Sequence, residues 1–166
     1  GGLNESTSDI FGTAVEFYAN SARDTPDFFF GEQVFKSAGL AIRSLAQPSL
    51  DGLSADCWYA AVGGLDVHYS SGVGNHFHYL LSQGSAGNKT CRAGDTRVAT
   101  GSATLTGIGR QKAEKIWYRA LTVYMTSGTN YAGARAATLS AATDLYGAAS
   151  AEYLAVAAAW AAVNVN

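Results

Sequence analysis

Glu5, Asp9 and Glu16 are spaced to share one stripe of a helix, and the first basic residue of the chain is Arg23. Like charges one turn apart repel by roughly a few tenths of a kcal/mol. Glu5 and Asp9 stand near enough to a helix N-terminus to gain from its dipole, whereas Glu16 is too far along. Two arrangements satisfy such a stripe: a solvated acidic face, or carboxylates turned toward a bound cation. His76 and His78 are a weaker signal, because residues two apart on a helix point about 200° apart and cannot serve one ion. Helix packing or surface exposure is their ordinary use. Cys57 and Cys91 lie in segments rich in Gly, Ser, Asp and Thr, where they form either an exposed thiol pair or a loop-pinning bridge. The bridge is the expectation; it would stabilise by roughly 3–4 kcal/mol in the chain-entropy model and implies an exported protein. "GIGRQK" has glycines ahead of a helix but lacks the spacing and strand context of a phosphate loop.

The elements that must position these residues are mostly helices. Leu3, Ile10, Phe11, Ala14, Val15 and Tyr18 recur at three- and four-residue steps, which predicts a helix to about Asn20 with this apolar face on a core and the acids almost opposite. Pro26 ends any helical reading of "RDTPDFFFG", and residues 32–50 read as irregular chain with short extended pieces. Residues 51–72 carry turn residues every few positions and read as a functional loop. Ser70 or Ser71 can cap "VGNHFHYLLSQ", a helix stopped at Gly84, after which residues 85–107 form loop with at most a small hairpin. Three helices close the chain, over about 110–124, 131–145 and 150–163, with Ile116, Tyr118, Leu121, Leu139, Leu145, Leu154 and Trp160 at helical spacing and alanine clusters suited to close packing. The fold class expected is mainly α, a helical bundle with long irregular loops, in one domain spanning residues 1–166.

Composition narrows the function. The chain has 166 residues, 48% of them hydrophobic, enough for one domain with a substantial core. Eleven Lys and Arg against thirteen Asp and Glu give a net charge of −2, too little basic surface for a nucleic-acid partner. No apolar run reaches the roughly 20 residues that span a bilayer, and the first residues lack the plan of a signal peptide. A chain processed or cut from something larger is expected, with no membrane partner.

Asn4-Glu5 followed by "SDIFG" resembles the third-ligand helix of the thermolysin-like zinc metallopeptidases. "AIRSLAQPS", "LDVHYSSGVGNHFHYLLSQG", "GIGRQKAEKIWYRALT" and "SAATDLYG" resemble that family's text in the family's order, and together cover nearly the whole chain. The "DVHYSSG" form is most similar to the pseudolysin and vibriolysin branch.

The resemblance implies roles by position. Glu5 corresponds to the third zinc ligand and Asp9 to the carboxylate that hydrogen-bonds a zinc-binding histidine. His68 corresponds to the histidine that stabilises the oxyanion, Asp66 to the carboxylate that fixes its tautomer, and Arg43 to the arginine that holds a substrate carbonyl. Glu16, Asp27 and Glu32, with the backbone carbonyl of Phe29, correspond to calcium ligands, one calcium at most being expected. Phe30, Val34 and Ile42 resemble part of the pocket for the hydrophobic residue after the scissile bond.

The family's H-E-x-x-H motif does not occur in these residues, and catalytic zinc needs three protein ligands plus water. The expectation is therefore the C-terminal lobe of a secreted, extracellular endopeptidase, sharing its zinc with an N-terminal lobe and inactive alone. Its partners would be that lobe, a peptide or protein substrate and a proteinaceous inhibitor. The rival readings are an excised lobe that binds peptides or proteins through its half-cleft, and an autolysis fragment with no separate role.

Overall fold

The computed structural model describes residues 1–35 and 41–166; the middle of the stretch read as irregular, residues 36–40, lies outside them. The helices are α1 (Gly2–Ala19), the short α2 (Val67–Ser70), α3 (Gly72–Gln83), α4 (Arg110–Val123), α5 (Tyr131–Tyr146) and α6 (Ala151–Ala161). Two short strands, β1 (Phe29–Phe30) and β2 (Arg43–Ser44), pair antiparallel with Phe29 opposite Ser44 and Phe30 opposite Arg43.

Local signals set the helix ends. The Asn130 side chain accepts from the Gly133 N–H and the Ser150 hydroxyl from the Tyr153 N–H, capping α5 and α6. Asn20, left-handed at φ 42°, closes α1.

α3 is the central element, with 10 of its 12 residues buried. α1, α4 and α6 pack around it, and α5 packs on α4 and α6. In the core, Phe77 of α3 stacks on Trp160 of α6 with ring centroids 3.7 Å apart, and the Trp160 Nε1–H donates to Thr138 Oγ1 at 2.8 Å. This satisfies the one polar atom the indole brings inside.

Several expectations need correction. Val15 and Tyr18, assigned to the buried face of α1, are 64% and 90% exposed, while Asp9, assigned to the opposite side, is buried. The core-facing stripe of α1 is Ser6, Asp9, Ile10 and Thr13, because the helix turns its small and hydrogen-bonding residues toward α3. In α4–α6, Tyr118, Leu145 and Leu154 are exposed, and Ala113, Ala120, Ala134, Ala141 and Ala159 take the buried contacts. Alanine lets helix axes approach more closely than leucine would.

Ser71, one of the two caps expected before "VGNHFHYLLSQ", holds the N-cap position of α3 but makes no capping side-chain bond; its hydroxyl donates to the His68 carbonyl at 2.7 Å. Asp66 caps α2 by accepting from the His68 N–H, and Ser71 is already helical where α2 meets α3. In residues 85–107, isolated bridges pair Thr90 with Gly101 and tie Thr106 back to Gly84; the only sheet among the described residues is β1–β2.

Candidate active cleft

Close approach of α1 and α3 creates the first part of the site. A Cβ on Gly74 would collide with the Ser6 side chain and lie 3.3 Å from Tyr131, so glycine lets the two helices meet. The contact puts Asp9 beside Asn75, whose Nδ2 donates to Asp9 Oδ2 at 2.8 Å. From β2, Arg43 closes a bidentate pair on the same carboxylate, Nε to Oδ2 at 2.7 Å and Nη2 to Oδ1 at 2.6 Å. Asp9 holds the guanidinium pKa above its ordinary value against the opposing effect of burial. The guanidinium also lies 4.9 Å from the ring centre of Phe30, its neighbour across the two strands.

The second part lies at the start of α2. Asp66 accepts from the His68 backbone N–H at 2.9 Å and from its Nδ1 at 2.7 Å. These two bonds hold the Asp66 carboxyl below the usual carboxylate range. With Nδ1 committed to Asp66, Nε2 is free to act on another group, and it faces Glu5 Oε2 at 3.6 Å. That separation is too long for a direct hydrogen bond and leaves both groups available. His68 is 56% exposed and Glu5 27% exposed at their side chains, so both remain open to a ligand. Ile42, Arg43, Asp51, Asp66, His68 and Tyr69 line a groove of about 310 Å³.

The third cluster joins the end of α1 to the turn after β1. Glu16, Asp24 and Glu32 each offer a carboxylate oxygen within 4.8 Å of the others. Burial, then the neighbouring acids, raises the pKa of both Glu16 and Glu32; a cation would relieve that repulsion. Asp27 is close but otherwise engaged, its N–H donating to Glu16 Oε1 at 3.0 Å and its Oδ1 accepting from the Phe29 N–H at 2.7 Å. Phe29 occupies β1 with its side chain 41% exposed.

Phe30 and Ile42 are joined by the bond from Ile42 N–H to the Phe30 carbonyl at 2.8 Å, and Ile42 is 40% and Val34 72% exposed. Gly31, at φ 76°, lets the chain turn where a Cβ would stand 2.6 Å from Ile42. Cys57 and Cys91 form the disulfide, with Cα atoms 5.7 Å apart.

Sequence reasoning missed Asn75 and Asp24. Asn75 is a wholly buried amide inside the apolar helix α3, and that setting was its available signal. Asp24 lies three positions before Asp27 across Pro26, and the turn brings both within reach of the two glutamates, each acid raising their pKa values. A larger cavity of about 460 Å³, lined by Leu3, Trp58, Val62, Leu65, Tyr131 and Val165 among others, contains no Asp, Glu, His, Lys or Arg and lacks comparable chemistry.

Comparison with known proteins matches residues 1–165 to the family described as "Thermolysin metallopeptidase, alpha-helical domain". The chain is 48% identical over 167 residues to the transglutaminase-activating metalloprotease of Streptomyces mobaraensis, matching all of this chain and 22% of that protein. It is 41% identical to a bacillolysin of Bacillus cereus, with 100% of this chain and 27% of the relative covered. It is 42% identical to a thermolysin of Alicyclobacillus acidocaldarius, with 99% and 28% covered. The chain thus spans about a quarter of the length of these relatives.

Proposed function

From the premise that the chain belongs to the α-helical domain family of the thermolysin metallopeptidases, we propose that it is the C-terminal lobe of a secreted, zinc-dependent endopeptidase. The observation that carries this reading is the meeting of Glu5, the Asp66–His68 pair and the Asp9–Arg43 pair, drawn from three separate segments.

The donor set fits a shared zinc site. The one group of three carboxylates among the described residues is Glu16, Asp24 and Glu32; all-oxygen donors of that kind suit calcium. Glu5 stands apart from them with an accessible carboxylate beside a histidine, and it would be this chain's single zinc ligand. Bound zinc supplies Lewis acidity toward a peptide carbonyl and its attacking water.

The chain's own residues do the rest of the work assigned to this lobe. Asp66 holds the Nδ1 side of His68, which turns Nε2 toward the cleft, where as an N–H donor it would meet the oxygen of a peptide carbonyl as negative charge develops. Arg43 spends two of its five N–H donors on Asp9 and keeps the others for a substrate carbonyl. Asp9, fixed by Arg43 and Asn75, orients a zinc-binding histidine of the other lobe. Phe30, Val34 and Ile42 favour an apolar side chain after the scissile bond. The disulfide supports secretion, and no helix of the described residues is long and apolar enough to cross a membrane.

The test uses the full-length protein. Glu5→Ala should lose zinc on dialysis, measured by metal analysis, together with peptidase activity. His68→Ala should keep zinc while kcat falls about 10²–10³-fold. Retention of stoichiometric zinc and activity by Glu5→Ala would overturn the reading. For the calcium site, Asp24→Asn should weaken calcium binding more than Asp27→Asn, as read by calorimetry.

A further inference from the structure

His76, 1% exposed in the middle of α3, takes no part in the cleft. Its Nδ1 lies 3.0 Å from the Asp56 carbonyl oxygen and its Nε2 3.1 Å from the Lys89 carbonyl oxygen. Neither carbonyl receives another hydrogen bond among the described residues. A neutral imidazole has one N–H. In that form, one ring lone pair would face one carbonyl lone pair at about hydrogen-bond distance, a contact that repels.

A second observation agrees. The Asp56 carboxylate, also 1% exposed, accepts from Ser49 N–H at 2.7 Å, Ser49 Oγ at 2.8 Å and Ala99 N–H at 3.0 Å. It has no salt-bridge partner among the described residues. A buried carboxylate that only accepts hydrogen bonds calls for a nearby positive charge. Asp56 is the one charged side chain acting on His76.

The two carbonyls belong to particular segments. Asp56 precedes Cys57, and Lys89 stands two residues before Cys91, so the ring spans the same two loops as the disulfide. We propose that His76 carries both ring protons in the folded protein and acts as a two-pronged brace, holding the Cys57 and Cys91 segments together independently of their disulfide. Burial, the largest influence on the ring, lowers its pKa from the ordinary value even though Asp56 and both carbonyls press back. Geometry opposes that shift and favours the charged form, since only that form lets both ring nitrogens donate to the carbonyls they face. The brace has a purpose in oxidative folding: it would bring the two thiols within reach before the S–S bond closes.

The experiment uses the full-length protein with ¹⁵N-labelled histidine rings at pH 7, His76 being assigned through its own Cβ. Both ring nitrogens should be protonated, with two N–H signals protected from exchange. An unprotonated nitrogen on the His76 ring would overturn the proposal. Thiol–disulfide equilibration against glutathione gives a second readout. His76→Gln should lower the equilibrium constant for closing Cys57–Cys91 by about 10- to 100-fold, the scale of a charge-assisted bond. An unchanged constant would also overturn it. The ring measurement needs no variant, so a folding failure of His76→Gln would not remove the test.

Discussion

Asp9 shows how much one side chain holds together. It is buried and accepts from three donors on two partners. Asp9→Ala would leave the Arg43 charge and the Asn75 amide without their acceptor, and should destabilise by about 3–5 kcal/mol, read as a lowered urea midpoint. His78 makes a pH prediction. Burial, with Arg110 nearby, pushes its pKa from 6.5 down to about 3, and its Nδ1 has no partner among the described residues. Between these values the unfolded chain holds a proton that the folded chain refuses. The resulting stability is complete above pH 6.5 and is lost as pH falls toward 3, at about 1.4 kcal/mol per pH unit. His78→Phe should remove that slope from urea unfolding compared at pH 7 and pH 5; an undiminished slope would contradict a neutral buried His78.

At the scale of elements, α4–α6 pack through small residues. Ala141 of α5 is fully buried, whereas Leu154 of α6 is 58% exposed. Ala141→Leu should therefore cost about 1–3 kcal/mol by overpacking, and Leu154→Ala no more than about 0.5; thermal melts of the two variants check the contrast. The larger apolar residue carries the smaller effect because burial, not hydrophobicity, sets the cost. Periodicity identified these helices but misassigned some of their faces, since an alanine-rich helix has apolar side chains all round. α1 erred for the complementary reason: Asp9 resembles a surface residue until its partners, 34 and 66 positions away, are in place.

The whole molecule is fastened twice between residues 56–57 and 89–91, by the His76 contacts and by the disulfide. Replacing both cysteines with serine should cost roughly 3–4 kcal/mol in the chain-entropy model, measured by urea unfolding against the parent. The same architecture gathers the cleft. α1 brings Glu5, α2 brings His68 and β2 brings Arg43, so no single segment carries the site.

By itself the sequence determined the five longer helices and most of their boundaries, but not the short α2 inside the stretch read as loop, because capping residues, stop glycines and side-chain period act within a few positions of where they stand. It also carried enough of a family's text to single out Glu5, Asp66, His68 and Arg43 as candidates. Only the tertiary structure decided that Asp9 is buried, that Asp24 joins Glu16 and Glu32 beside the expected Asp27, and that His76 spans two loops. Each of these depends on which donor or charge a distant segment delivers to a side chain, and that free energy exists only once the segments have packed.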